Sequence, residues 1–595
     1  MIHSLELENF KGVAARQRIE FAPITLLFGA NSAGKSTILH ALVYLHELLE
    51  RGSADVDRTE LAGHVLELGG FARLVHRHES ERVIVLRAEF ATPGGLERFG
   101  RDLTDFPFPD LDDEVESAWL ALTIRFLTRS TFRGAIVERA VIGVNGVAEP
   151  LVWLEVGATL REDEALRARI NMGHPVLASA FGEHQLALVP YGARSDVTEA
   201  WEAIAIPEEG AGAGEGGGYG GGSGTGTGAA VTDGSGFGNG RSLPVFALVR
   251  GRLSALPSLS EPLSVSPFGG DTPENTAAAQ HVRTFLEMAV IGTTSQLANV
   301  LRELLFIGPL RAMPPRGYRP QARQGPQRWA DGLAAWDAIA HGDAADVGRW
   351  MKRLGTGYDV SRRELIELPA AALDVRHELA DITDKMDQFY PHNPEEADAD
   401  EFYSDTYVDI KLARHQVETL RKLQTSLDSP IRSTRVVLVE EGTGLELEPQ
   451  DVGIGVSQLL PVVAAAVLRR RTKAAGMLVC IEQPELHVHP RVQVELADLF
   501  VTEATALGGR AKQFLIETHS EHLILRLLRR IRETTDKELA DDAPAFREDK
   551  LSVLYVEASP DGVRVRRLRV DERGEFKDPW PKGFFDERYA EVYGE

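Results

Sequence analysis

The chain has 595 residues and a net charge of −24, and its length predicts two to four structural units. Its composition, 43% hydrophobic and 26% charged, is that of a globular protein. The single cysteine, Cys480, excludes a disulfide framework or a cysteine-based metal centre within one chain. Because the start lacks a secretory signal and the longest apolar run, 459–468, is too short to span a bilayer, we expect a cytoplasmic protein with no membrane contact.

The first 50 residues have the order of elements that surrounds a phosphate-binding loop. Strand-like segments 2–10 and 24–28 precede Gly29-x4-Gly34-Lys35-Ser36, and an apolar-periodic helix is predicted over 38–49. The glycines allow backbone N–H groups to surround a phosphate, with Lys35 placed for the β- and γ-phosphates and Ser36 for Mg²⁺. The candidate residues for binding ATP are Gly29, Asn31, Ser32, Gly34, Lys35, Ser36 and Thr37.

Short strands dominate the next stretch of the chain. Segments 82–86 and 119–126 have strand composition, and Asn145-Gly146 separates two further runs, 135–144 and 147–156, as in a hairpin. These runs predict an antiparallel sheet built onto the nucleotide-binding region.

The middle of the chain changes composition twice. Residues 210–240 contain 16 glycines in 31 positions, which predicts a flexible linker. Helices are expected from Pro273, after the capping residue Thr272, and again over 369–388 and 407–427.

After residue 434 the pattern is again α/β. The predicted strands are 435–440, 445–448, 477–481, 513–516, 551–557 and 563–570. The first two and the last two read as hairpins, whereas 477–481 and 513–516 read as buried strands.

Three further motifs follow in order behind the phosphate loop. They are Asp451-Val452-Gly453-Ile454-Gly455-Val456-Ser457-Gln458, the acid Glu482 after an apolar run, and His519 in Glu517-Thr518-His519-Ser520. With these motifs the chain resembles an ABC-type ATPase of the SMC/Rad50-like branch, and within it the OLD-related and Septu PtuA-type AAA ATPases of bacterial phage defence. Segments 5–12, 307–311 and 580–586 resemble the same group.

The resemblance covers roughly 1–90, 300–320 and 435–595, and it implies an α/β fold with an ABC-type P-loop ATPase head. The residue patterns between these segments predict an added antiparallel β-sheet and a mostly helical insertion. Together these expectations divide the chain into the N-terminal half of the head with the antiparallel sheet (1–205), a glycine-rich linker (206–245), the helical insertion (246–433) and the C-terminal half of the head (434–595).

The resemblance also implies roles for individual residues. Gly455, Ser457 and Gln458 match the signature segment, which contacts the γ-phosphate bound by a second subunit. Glu482 matches the Walker B acid, which holds Mg²⁺ together with Ser36, and His519 matches the histidine that senses the γ-phosphate. ATP and Mg²⁺ are the implied cofactors, and a second copy of the chain is the implied first partner.

Two positions depart from the family's pattern. The residue after the Walker B acid is Gln483, where the family has a glutamate that polarises the attacking water, and no glutamine is found near 68–71, where a Q-loop is expected. Glutamine cannot accept a proton, and a general base contributes roughly 10²–10⁴-fold to a rate. Either Glu485 substitutes as the base or hydrolysis is slow.

Other polar clusters have simpler interpretations. His487-x-His489 could chelate a metal, but it occupies the D-loop position, and interface contacts are the favoured interpretation. The arginine clusters 316–328, 526–532 and 564–569 are interpreted mainly as solvated faces or as partners for excess acid, with DNA phosphate contact as the alternative.

These observations favour an ATP-binding ATPase that dimerises around ATP and controls an effector, such as a nuclease, in phage defence. Neither a Toprim acidic set nor an HNH motif is found, so nuclease chemistry would belong to a partner. Two alternatives stay open: a DNA-engaging repair or maintenance ATPase, and an ATP-gated scaffold that hydrolyses poorly.

Overall fold

The structure is a computed structural model that describes residues 1–54, 68–93, 95–96, 115–128, 133–156, 166–171, 174–176, 247–249, 254–256, 259, 263, 273–322, 325–342, 344–367, 414–421, 431–468, 477–507 and 511–581. The glycine-rich linker and the predicted helix 369–388 lie outside these residues. Of the predicted helix 407–427, residues 414–421 are described, and they are helical.

The chain forms two compact units, each assembled from separate stretches of sequence. Unit 1 comprises Met1–Pro309, Gly325–Ala330 and Arg470–Glu595, and unit 2 comprises Leu310–Gln324 and Asp331–Arg469.

The strands are β1 (Ile2–Glu8), β2 (Gln17–Glu20), β3 (Ile24–Phe28), β4 (Ile84–Ala91), β5 (Ser117–Thr128), β6 (Arg133–Val144), β7 (Val152–Glu155), β8 (Leu166–Ile170), β9 (Ala247–Val249), β10 (Leu305–Ile307), β11 (Tyr358–Glu367), β12 (Ile431–Glu440), β13 (Glu446–Leu447), β14 (Met477–Glu482), β15 (Lys512–Glu517), β16 (Leu551–Ser559) and β17 (Gly562–Leu568). The helices are α1 (Ser36–Arg51), α2 (Phe71–Leu74), α3 (Pro273–Leu286), α4 (Thr293–Arg302), α5 (Pro326–Ala330), α6 (Leu333–His341), α7 (Ala345–Arg353), α8 (Ile454–Val467), α9 (Pro490–Ala504) and α10 (Glu521–Asp536).

Unit 1 is built around a six-stranded sheet with the order β10-β14-β15-β3-β16-β17. Its first five strands are parallel and β17 is antiparallel to β16. All residues of β3 and β15 are buried, as expected for central strands covered on both faces. The carboxyl ends of β14, β15 and β3 therefore share one edge of the sheet, which is where ligands bind in open α/β sheets.

An eight-stranded antiparallel sheet, β2-β1-β4-β5-β6-β7-β8-β9, forms the second layer of unit 1. It confirms the predicted antiparallel sheet, including the pairing of β6 with β7. The predicted start of β7 is wrong, since the strand begins at Val152 and the connection runs over 145–151. Asn145 and Gly146 still have the positive φ angles of a tight turn, 53° and 63°.

Unit 2 contains the three-stranded antiparallel sheet β11-β12-β13 and the helices α6, α7 and α8. Strand β11 pairs with β12 over ten residues, from Tyr358↔Glu440 to Glu367↔Ile431. The stretch 246–433, which the sequence pattern predicts to be mostly helical, thus also contributes β9, β10, β11 and the start of β12. The hairpins predicted for β12–β13 and β16–β17 are confirmed.

Candidate functional site

The loop between β3 and α1 has the backbone of a phosphate cradle. Gly29, Ser32 and Gly34 have φ angles of 148°, 61° and 96°. A Cβ atom at Gly29 would lie 2.2 Å from the carbonyl oxygen of Val556, so only glycine fits there. The loop then enters the 16-residue helix α1, whose first N–H groups favour an anion.

Lys35 lies inside this cradle. It is 4% exposed, and its Nζ donates hydrogen bonds to the carbonyl oxygens of Gly29 at 3.1 Å and Ala30 at 3.0 Å. Burial lowers the pKa of Lys35 below its ordinary value, and the nearby carboxylates, that of Glu517 above all, offset part of this effect. These contacts hold the Lys35 ammonium inside the loop, in the position to pair with a bound phosphate.

Two buried carboxylates lie at the sheet edge beside the loop. Glu482 ends β14 and Glu517 ends β15, and the strand register pairs them directly. Glu517 Oε2 accepts a hydrogen bond from Ser36 Oγ at 2.6 Å, and its Oε1 lies 3.7 Å from Lys35 Nζ. Glu517 was not among the predicted site residues, although its place at the end of a buried strand was a usable signal.

These groups fit a magnesium–nucleotide complex. Mg²⁺ is usually held by one or two carboxylates together with substrate phosphates and water, and Ser36, Glu482 and Glu517 supply hard oxygen atoms of that kind. Within the described part of the chain, no group of three or more His, Cys, Asp or Glu side chains could hold a metal by itself. Hydroxyl and carboxylate donors of this kind suit a metal that binds together with phosphates.

Lys11 and His40 form a chain of polar contacts that ends at Glu482. Lys11 Nζ lies 2.5 Å from His40 Nδ1, and His40 Nε2 lies 3.6 Å from Glu482 Oε1. Burial lowers the pKa of Lys11 to about 8 despite the opposing charge of Glu482. Burial and the charge of Lys11 lower the pKa of His40 to about 3. His40 is therefore neutral at pH 7 and separates the cation from the carboxylate.

Gln483, the residue that replaces the family's glutamate, has a left-handed backbone. Its φ angle is 47°, and its N–H donates to the carbonyl oxygen of Glu517 at 2.8 Å. Non-glycine residues adopt this conformation uncommonly, and here the hydrogen bond to Glu517 holds it.

Glu485 contacts the loop that carries His519. Its Oε2 accepts from the Thr518 hydroxyl at 2.9 Å, and its Oε1 accepts from the backbone N–H of His519 at 2.6 Å. Both carboxylate oxygens are thus used within the chain. This arrangement differs from the free, water-facing carboxylate that a displaced general base would present.

The His519 side chain is half-buried, and its Nε2 has no hydrogen-bond partner among the described residues. Burial, followed by the charge of Lys35, lowers the pKa of His519 below its ordinary value. A buried ring nitrogen without a partner, close to the phosphate-loop lysine, is suited to a ligand oxygen.

In unit 2, the signature segment begins α8. Ile454 is 55% exposed, and a Cβ added at Gly453 would meet nothing within 4 Å among the described residues. Ser457 is buried, and its hydroxyl donates to the carbonyl oxygen of Pro449 at 3.0 Å. The surface at the start of α8 is therefore formed mainly by backbone and Ile454, and the buried Ser457 hydroxyl does not match the γ-phosphate contact that the resemblance implies.

The predicted nucleotide contact of Gln458 does not match its place in the structure. Its Oε1 accepts from the backbone N–H of Arg311 at 3.1 Å, and its Nε2 donates to the carbonyl oxygen of the same residue. Since both ends of the amide are bonded to one peptide segment, Gln458 holds that segment to α8.

Several residues of the remaining polar clusters have structural partners. His489 Nδ1 accepts from the backbone N–H of Arg491 and caps α9. Buried Asp498 binds both Arg526 and Arg530, the latter at 2.7 Å. In the third cluster Arg567 pairs with Glu20 and Arg569 with Asp578. These ion pairs support the interpretation that the arginines offset acidic residues.

Comparison with known protein families gives three matches. Residues 1–90 match the family described as "AAA ATPase domain", and residues 337–526 match "AAA domain, putative AbiEii toxin, Type IV TA system". Residues 547–592 match a "Protein of unknown function (DUF3696)". The chain has an α/β P-loop fold and carries AAA-type ATPase sequence in both halves. No curated protein matches it.

Among solved structures, the chain is similar to the SMC head domain from Thermotoga maritima, with 8% identity, a TM-score of 0.32, and coverage of 96% of this chain and 99% of that one. It is also similar to an SmcHead bound to the C-winged helix domain of ScpA, with 10% identity, a TM-score of 0.33 and coverage of 96% and 98%. A third is an Smc head domain with an extended coiled coil, bound to the C-terminal domain of ScpA derived from Pyrococcus furiosus, with 9% identity, a TM-score of 0.31 and coverage of 96% and 96%. The identities and TM-scores are low, and the ATPase assignment rests on the family matches and the phosphate loop.

None of the described helices is long and apolar enough to cross a membrane.

Proposed function

We propose that the protein is an ABC-type ATPase that binds ATP and Mg²⁺ at the phosphate loop and pairs with a second copy around the nucleotide. The observation that carries this proposal is the buried Lys35 inside a glycine cradle, with Ser36 and Glu517 joined at the same sheet edge. Bound Mg²⁺–ATP would supply the phosphoanhydride that is hydrolysed.

The residues of the chain divide the work of binding between them. The loop from Gly29 to Thr37 holds the phosphates through backbone N–H groups, and Lys35 neutralises their charge. Ser36 and Glu482 hold Mg²⁺, with Glu517 beside them. His519 contacts the terminal phosphate through its Nε2, while the backbone around Gly455 at the start of α8 in a second copy faces that phosphate from the other side.

Hydrolysis is proposed to be slow. Gln483 can orient water but cannot take its proton, and both oxygens of Glu485 are bonded to the loop of His519. A slow step after closure gives a long-lived ATP-bound dimer, which is suited to controlling an effector such as a nuclease. The AbiEii-type family match over 337–526 supports a role in defence against phage.

The test combines two single variants with measurements of binding and assembly. Lys35→Ala should weaken ATP binding by about 10²-fold or more, because a buried charge-assisted contact is lost. Ile454→Asp changes an exposed residue, so it should bind ATP normally and fail to dimerise. Isothermal titration measures the first effect, and sedimentation with and without Mg²⁺–ATP measures the second.

The wild-type protein should be monomeric without nucleotide and dimeric with it. Equal ATP affinity in wild type and Lys35→Ala would exclude the phosphate loop as the site. An ATP-dependent dimer that persists in Ile454→Asp would exclude the signature face as the interface.

A further inference from the structure

The loops after β14 and β15 are joined by a set of hydrogen bonds that ATP binding alone does not require. The first loop, 483–489, matches the D-loop position, and the second, 518–520, carries His519. Glu485 in the first loop accepts from the Thr518 hydroxyl at 2.9 Å and from the His519 N–H at 2.6 Å.

A second link runs parallel to the first. Ser520 Oγ donates to Gln493 Oε1 at 2.7 Å, and Gln493 Nε2 donates to the carbonyl oxygen of Val488 at 2.8 Å. Ser520 Oγ also accepts from Leu523 N–H and so caps α10. The first loop is therefore bonded to the second through Glu485 and, by way of Gln493, through Val488, and Ser520 extends this connection to the start of α10.

The direction of the Thr518 bond is fixed by its neighbour. Thr518 Oγ1 already accepts from the N–H of Ser520 at 3.0 Å, so its proton is available for the carboxylate. Thr518 is fully buried and Ser520 is 4% exposed. Removing the carboxylate would leave a buried hydroxyl and a backbone N–H without their acceptor, which is the costly case for hydrogen bonds.

We propose that Glu485 is a positioning residue that fixes His519 to the loop 483–489. A movement of this loop on dimerisation would then also move the His519 ring, which faces the terminal phosphate. This rests on the proposed function and deepens it. Glu485 then acts through His519 and not as the base that replaces Gln483.

Three variants separate positioning from base catalysis. Glu485→Gln keeps the bond from His519 N–H, which its carbonyl accepts, and it replaces the bond from the Thr518 hydroxyl with one in the opposite direction, from its amide to Thr518 Oγ1. It should retain turnover within about threefold of wild type, whereas Glu485→Ala should lose about 10–100-fold in kcat with ATP affinity changed by less than about threefold. Thr518→Val removes one of the two bonds. Alone it should lower kcat by about 3–10-fold, and when added to Glu485→Ala it should lower kcat little further.

The opposite pattern overturns the proposal. If Glu485→Gln is as inactive as Glu485→Ala while Thr518→Val is normal, Glu485 is the displaced base. Additive losses in the double variant would likewise exclude a shared link.

A nucleotide-free measurement keeps this test independent of the proposed function. Amide hydrogen exchange at His519 in the apo protein should accelerate about tenfold or more in Glu485→Ala and much less in Glu485→Gln. Unchanged exchange in Glu485→Ala would contradict the link even in a protein that never hydrolyses ATP. Failure of ATP binding in the wild type, with the expected exchange pattern, would overturn the proposed function alone.

Discussion

The phosphate-loop edge of unit 1 and the signature segment of unit 2 differ in how many of their groups are buried and hydrogen-bonded within the chain. At the phosphate loop, Lys35 is 4% exposed and bonded to the loop's own carbonyls, and Ser36 is bonded to Glu517. At the signature segment, Ile454 is 55% exposed and the space around Gly453 is open among the described residues. One region is organised before a ligand arrives, whereas the other presents a surface.

The phosphate loop is thus preorganised for a ligand, whereas the signature segment is exposed for contact with another protein surface. Prepaired groups at the phosphate loop lower the cost of ordering when a nucleotide binds. An exposed apolar residue beside glycine backbone costs little stability and can pack closely against another surface. Changes in the first region should therefore affect folding and binding together, whereas changes in the second should affect assembly alone.

The largest expected contrast is between two glycine-to-alanine changes. Gly29→Ala places a Cβ 2.2 Å from the Val556 carbonyl oxygen at a φ of 148°, and it should destabilise the fold by about 3 kcal/mol or more. Gly453→Ala meets open space and should cost no more than about 0.5–1 kcal/mol. Denaturant unfolding measures the loss of unfolding free energy in each variant. Equal losses would contradict the expected difference between the two regions.

A smaller effect is expected at Glu517. Glu517→Ala removes the partner of Ser36 and the nearest carboxylate to Lys35, so it should cost about 1–3 kcal/mol in unfolding free energy. Glu517→Gln keeps an acceptor for Ser36 but loses the charge, and it should reduce the Mg²⁺ enhancement of ATP affinity by about tenfold. Titration with ATP, with and without Mg²⁺, measures this effect.

The exposed Glu572 offers a matched control for that experiment. Glu572→Gln also removes one negative charge but should leave the Mg²⁺ effect intact. If both glutamine variants behave alike, the effect comes from net charge and not from the sheet edge.

The smallest expected effect is a pH dependence of stability from Lys11. Its pKa falls from an ordinary value of 10.5 to about 8 in the folded protein, so between these values the unfolded chain binds the proton more readily. Stability should therefore rise as the pH increases from about 8 to 10.5, by about 1–2 kcal/mol after solvent screening. Lys11→Met should lack this rise, which pH-dependent denaturant unfolding would detect.

Lys577→Met removes an exposed lysine and serves as the control. A wild-type curve that is flat relative to Lys11→Met, or a rise that Lys577→Met also abolishes, would contradict the buried pairing of Lys11 with His40.

The parts predicted from the sequence are those that depend on local pattern. The strand, loop and helix around Lys35 are encoded within about 50 residues, and the hairpins at β12–β13 and β16–β17 carry their own turn residues. The roles of Glu517 and Gln458 depend on long-range register. Glu517 meets Ser36 across 481 positions, and Gln458 meets Arg311 across 147, and periodicity carries no information about such pairs.

The central strand of the six-stranded sheet has a consequence for synthesis of the protein. Strand β3 is made within the first 28 residues, yet its neighbours on either side, β15 and β16, begin at Lys512 and Leu551. During translation, the phosphate loop therefore has no sheet to join until the segment that contains β15 and β16, 512–559, has been synthesised. Chains that end before Lys512 would therefore lack both strands that flank β3 and would not order the loop around Lys35.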